Sequence, residues 1–120
     1  MSKLVFLLLF FFVFLFSCVN KDCKTSSSLS FSSDIQPIFN DNCATSGCHT
    51  TSAKAGGLDL SMGKSYDALS KTGSGYINTS NPKSSVLYSA MNSNMPPSGK
   101  LDKCTLEKIE KWMEQGAKNN

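Results

Sequence analysis

Cys43, Cys48 and His49 fall within the stretch CATSGCH, and His49 is the only histidine of the 120-residue chain. Two thiols followed at once by an imidazole is the order that a covalent haem site needs. The thiols add across the two vinyl groups of one porphyrin, and a histidine next to the second thioether is held under the ring as a ligand to iron. In the C-x-x-C-H pattern the gap is two residues. Here it is four, Ala44 to Gly47, a length that can loop out between the same two attachment points. Read by themselves, the same residues also suit a zinc module with Cys104 as fourth ligand, or a cofactor-free binding protein stapled by disulfides. Adjacent Cys48 and His49 make an awkward pair on one metal ion.

An iron that transfers electrons in six-coordinate form needs a second axial ligand. With a single histidine, the candidates are Met62, Met91, Met95 and Met113. Met91 and Met113 lie on apolar faces of helical patterns, where a core role accounts for them. Met62 is near the attachment residues and stays open. Met95 sits in NMPPSGK, where two prolines exclude helix and push Met95 toward extended geometry. A stiff extended segment is a good way to hold a thioether against iron, and a methionine ligand raises the potential relative to a second histidine. With a weak or open distal ligand, the same haem would instead serve an enzyme subunit or a gas or redox sensor.

The elements that must position these residues read as helices. Ser33 or Asp34 is a good N-cap, and Ile35, Ile38 and Phe39 follow at helical spacing up to Cys43. Met62, Tyr66 and Leu69 predict a short helix over 63–70. Asn81-Pro82 is a helix-start signal, followed by the apolar stripe Val86, Leu87, Ala90 and Met91. The clearest helix runs from about 103 to 115, with Leu106, Ile109, Trp112 and Met113 on one face. In it Glu107 and Lys111 can pair at i,i+4, and Gly116 is the stop. Trp112, Ile38, Phe39 and Leu106 are candidates for a haem wall as well as for ordinary core. No strand pattern stands out, so the class is all-α with long loops.

The N-terminus is of another kind. Lys3 precedes an unbroken apolar run from Leu4 to Phe16, thirteen residues, short of the roughly 20 that span a bilayer as a helix. It fits a secretion signal. Its end, LFSC, resembles a bacterial lipoprotein signal in which Cys18 is lipidated and becomes the new N-terminus. Residues 1–17 then form the signal, 18–30 a polar, Ser-rich flexible tether, and 31–120 the domain. Loss of Lys3 from twelve Lys leaves eleven against nine acids, or +2, with no Arg. That balance does not suggest nucleic-acid binding. Export places the chain in an oxidising compartment. If Cys18 carries lipid and Cys43 and Cys48 carry haem, Cys23 and Cys104 remain to pair. Such a bridge would contribute roughly 4 kcal/mol in the chain-entropy model. Two disulfides without haem is the competing assignment, and the cysteine count alone does not choose.

From about Phe31 to Asn120 the chain resembles the small c-type cytochrome domains of the planctomycete and Bacteroidetes type. The resemblance is carried by SSDIQPIFNDNCATSGCH, AGGLDLS, NPKSSVLYSAMNSNMPPSGKL and LEKIEKWMEQGAKNN. It implies a class I cytochrome c-like fold, with helices around one covalently attached haem c. It implies thioethers at Cys43 and Cys48, His49 as proximal and Met95 as distal iron ligand, and a Cys23–Cys104 disulfide. The implied role is that of an electron carrier rather than an enzyme: a monohaem cytochrome tethered to a membrane and serving redox partner proteins. Its expected place is the periplasmic face or outer membrane of a Gram-negative bacterium.

Overall fold

The computed structural model describes residues 22–120, so the expected signal segment 1–17 and Cys18 lie outside the described residues. Four α-helices follow one another: α1 (Gln36–Asn42), α2 (Ser65–Leu69), α3 (Val86–Ser93) and α4 (Lys103–Glu114). A wide π-helical turn, Phe31–Ile35, leads into α1, and single 3-10 turns occur at Ala55–Gly57 and Pro82–Ser84. The described residues contain no strand. The all-α expectation with long loops holds for them, and none of these helices is long and apolar enough to cross a membrane.

The first helical turn starts earlier than the sequence suggests. Ser30, not Ser33 or Asp34, is the cap. Its Oγ accepts the Ser33 N–H at 3.4 Å, and Asp34 Oδ2 reaches back to accept the Ser30 N–H at 2.8 Å. This reciprocal arrangement satisfies donors that a bare helix end leaves open. Pro37 falls in the first turn of α1, where no N–H is missed. Behind it Ile35, Ile38 and Phe39 are buried.

α4 closes the core. Leu106, Ile109, Trp112 and Met113 all face inward, as their spacing requires. Phe31 is the hub of the aromatic packing, with ring centroids 5.4 Å from Trp112, 5.2 Å from Tyr66 and 6.2 Å from Phe39. Gly116, at φ +94°, ends the helix. The Ala117 N–H then turns back to the Trp112 carbonyl at 2.9 Å, a closure that favours glycine. The i,i+4 ion pair within α4 is Lys103–Glu107 at 3.4 Å rather than Glu107–Lys111.

Asp102 caps α4, its Oδ1 accepting the N–H groups of Cys104 (2.9 Å) and Thr105 (3.1 Å). The Thr105 hydroxyl adds a third bond at 2.6 Å. Thr105, through side chain and backbone, holds this carboxyl below the ordinary 3.8. An Asp102→Ala variant is expected to lose about 1 kcal/mol in chemical denaturation at neutral pH, with Asp102→Asn recovering most of it. Because the folded pKa is depressed, the charge-dependent part of the cap, the margin of Asp102 over Asp102→Asn, is complete above the ordinary aspartate pKa and is lost as pH falls through the lower folded value.

A disulfide joins Cys23 to Cys104, with the Cα atoms 5.2 Å apart and a sequence separation of 81. The end of the expected tether is therefore part of the ordered domain. Leu29 is buried, its N–H donates to Gln115 Oε1 at 3.0 Å, and Gln115 Nε2 donates to the Ser27 carbonyl at 2.9 Å. Residues 23–29 thus run along α4, held at both of its ends.

Candidate functional site

α1 delivers Cys43 to the start of a tight loop. The N–H groups of Cys43 and Ala44 both return to the Phe39 carbonyl, at 2.8 and 2.7 Å, which ends the helix. The next four residues bulge out. Cys48 N–H bonds to Thr45 O at 3.0 Å, and His49 N–H bonds to Cys43 O at 3.0 Å, closing the loop at its neck. Gly47, at φ +79°, makes the return possible. The extra length of the C-x4-C gap is absorbed in this bulge, so Cys43 and His49 stay adjacent across its neck.

The segment after the loop fixes the histidine. Leu60 N–H donates to His49 O at 2.7 Å, and Ala55 N–H to Cys48 O at 3.0 Å. The ring nitrogen Nδ1 of His49 lies 3.3 Å from the Leu58 carbonyl. A carbonyl can only accept, so Nδ1 carries the proton, and in the neutral ring Nε2 keeps its lone pair. A carbonyl partner of this kind orients and polarises a metal-ligating imidazole.

Gln36 holds the same segment from behind. Its Nε2 donates to the Leu60 carbonyl at 3.1 Å and to Asn40 Oδ1 at 2.8 Å, and its Oε1 accepts from the Ser65 hydroxyl. Gln36 and Ser65 are both buried. Buried polar groups with every bond satisfied fix one arrangement of the chain around them. Nothing in the sequence singles out Gln36 for this, beyond its being polar in an apolar stretch.

A cavity of about 340 Å³ opens against these elements. Cys43, Cys48, His49 and Met95 all line it. Leu58, Leu60 and Tyr76 line it, as does the stripe Val86, Leu87, Ala90 and Met91 of α3. The lining is overwhelmingly apolar, and the volume falls within the range of small-molecule and cofactor pockets, about 300–1,000 Å³. The wall differs from the sequence expectation. Trp112, Ile38, Phe39 and Leu106 do not line the cavity; they are buried in the core behind it. A signal for the true wall was present in the alternation Leu58-Asp59-Leu60, which an extended segment turns to one side.

The methionines separate by position. Met95 and Met91 line the cavity, Met91 fully buried and Met95 36% exposed at its rim. Met62 is 74% exposed and away from it, and Met113 is in the core. The stretch around Met95 is not extended. Its N–H is tied to Ala90 O at 2.9 Å at the end of α3, and Gly99 N–H bonds to Pro96 O at 3.0 Å. Pro97 and Gly99 occupy the second and fourth positions of this turn, which suit a fixed φ and a glycine. The prolines therefore stiffen a turn rather than a strand.

Cys43 and Cys48 are free thiols. Burial, with a smaller contribution from Cys48, pushes the Cys43 thiol up to about 11, so it stays protonated at neutral pH. Cys104 is bonded to Cys23 and cannot complete a zinc site with Cys43, Cys48 and His49. No group of three His, Cys, Asp or Glu side chains suited to a metal ion occurs among the described residues. Comparison of the chain with protein-family models, with curated proteins and with solved structures finds no match.

Proposed function

We propose that this protein is a monohaem c-type cytochrome, exported and tethered to a membrane by lipid on Cys18, that carries single electrons. One observation carries the reading: both free thiols, the only histidine and Met95 border one apolar cavity. The residues fit the group on three further counts. The looped-out insert keeps the thiols and His49 together at its neck, His49 has its Nδ1 occupied and Nε2 available, and the walls exclude charge. In this reading the helices packed around the site make a class I cytochrome c-like fold.

Cys43 and Cys48 would hold haem c as thioethers, His49 would be the proximal ligand and Met95 the distal one. The haem supplies the one-electron couple. The chain's own residues bind it, orient the imidazole through Leu58, and keep water from the buried side with Leu60, Leu87 and Met91. Redox partner proteins are its implied partners.

Expression with a cytochrome c maturation system should give a band that stains for haem on a denaturing gel. An unstained band at the mature mass would overturn the reading. Met95→Ala should abolish the weak Met-to-iron charge-transfer band of the oxidised protein and lower its potential, whereas Met91→Leu should keep both. If the band instead survives Met95→Ala and is lost with Met91→Leu, the ligand is Met91, the other methionine on the cavity.

A further inference from the structure

We propose that the Cys23–Cys104 disulfide sets which end of the domain faces the membrane; this rests on the lipid-anchor reading of Cys18. The segment 23–29 lies along α4 with one hold at each end of the helix. The disulfide is at its N-terminal end, and the Gln115 clamp on Ser27 and Leu29 is at its C-terminal end. Cys104 and Gln115 are eleven residues apart, about 16 Å along a helix axis. The two holds therefore mark opposite ends of the domain's longest element.

The chain length to the lipid differs between them. Cys18 is five residues from Cys23 and nine from Ser27. Whatever path the intervening residues take, a chain spans at most about 3.5 Å per residue, so the leash is at most about 18 Å to Cys23 and about 32 Å to Ser27. With the disulfide intact, the shorter leash holds the N-terminal end of α4 within about 18 Å of the lipid. The far end, at Gln115, then lies up to a helix length further out. Without the disulfide, the hold at Gln115 takes over, the leash nearly doubles, and the end nearest the lipid changes.

The test uses the full-length, lipidated, haem-loaded protein in liposomes carrying a donor dye on the headgroups. An acceptor dye is placed through an unnatural amino acid at position 100 or 118, both exposed. Sensitised emission divided by directly excited emission cancels any quenching by haem. Transfer should be about twofold or more higher at 100 than at 118 in the wild type. In Cys23→Ser/Cys104→Ser the difference should vanish or reverse. A second variant keeps the disulfide and inserts a flexible Gly/Ser stretch of about ten residues between Asn20 and Lys21, which should lower transfer at both positions and shrink their difference. Equal transfer at both positions in the wild type, or the wild-type difference persisting in full in either variant, would overturn the proposal. A chain that does not float with the liposomes would show that the lipid anchor itself is wrong, and the orientation with it.

Discussion

His49→Ala is expected to leave the haem stain on a denaturing gel intact while removing essentially all of the low-spin spectrum of the native protein. The two effects separate because the residues have separate tasks. In the proposed cytochrome, covalent attachment would depend on Cys43 and Cys48, which the substitution does not touch. Axial ligation from the proximal side would depend on one imidazole, and the chain has no second histidine to replace it. The backbone around the site should persist, since His49 N–H and C=O, not its ring, make the 3.0 and 2.7 Å bonds that close the loop. The ring's own bond to Leu58 O is worth about 1 kcal/mol, a small loss beside the spectral one. Added imidazole should restore the low-spin form, because truncation to Ala opens the space the ring filled. A low-spin spectrum unchanged in His49→Ala would take His49 off the iron. Failure of imidazole to enter would mean that the loop had collapsed into the gap, which the visible near-native circular dichroism of an intact loop would exclude.

Much of this site was legible because its parts are local. Cys43, Cys48 and His49 announce themselves by order along the chain, and Met95 by the prolines that follow it. The C-terminal end of α4 was legible for the same reason: Gly116 acts within a few residues of the bond it makes. What the sequence does not contain is the partner of each buried face. Periodicity shows that Trp112 and Leu106 point inward, and it shows the same of Leu87 and Met91. Only the packed chain distinguishes the pair buried in the core from the pair that meets the cavity. The ion pair on α4 failed at a finer scale. Glu107 has a lysine at both i−4 and i+4, the two choices differ by a few tenths of a kcal/mol, and tertiary surroundings decide between them. The turn at Pro96–Gly99 was hidden because Pro-Pro excludes helix without choosing between an extended strand and a turn.

The distinction between core and cavity wall gives the largest expected effect on stability. Trp112→Ala should destabilise the protein by roughly 3–5 kcal/mol, the range for removing a fully buried large side chain. Trp112 is 1% exposed, its ring lies against Phe31, and its Nε1 donates to the Lys118 carbonyl at 3.1 Å. Phe31 in turn touches Tyr66 and Phe39, so the void would open at the hub that joins α4 to the N-terminal turn and to α2. Domains of this size have about 5–15 kcal/mol in all, so a loss of this order should lower the midpoint of thermal unfolding by about 15 °C or more. Trp112→Phe should cost less, since a ring still fills most of the site, and the loss is confined to the bond to Lys118 and the volume of one fused ring. Because Trp112 does not border the cavity, the visible spectrum of Trp112→Ala at low temperature should match the wild type. A shifted spectrum with a native unfolding midpoint would put Trp112 in the wall after all. A large fall in midpoint with an unchanged spectrum is what a core residue one layer behind the site must give.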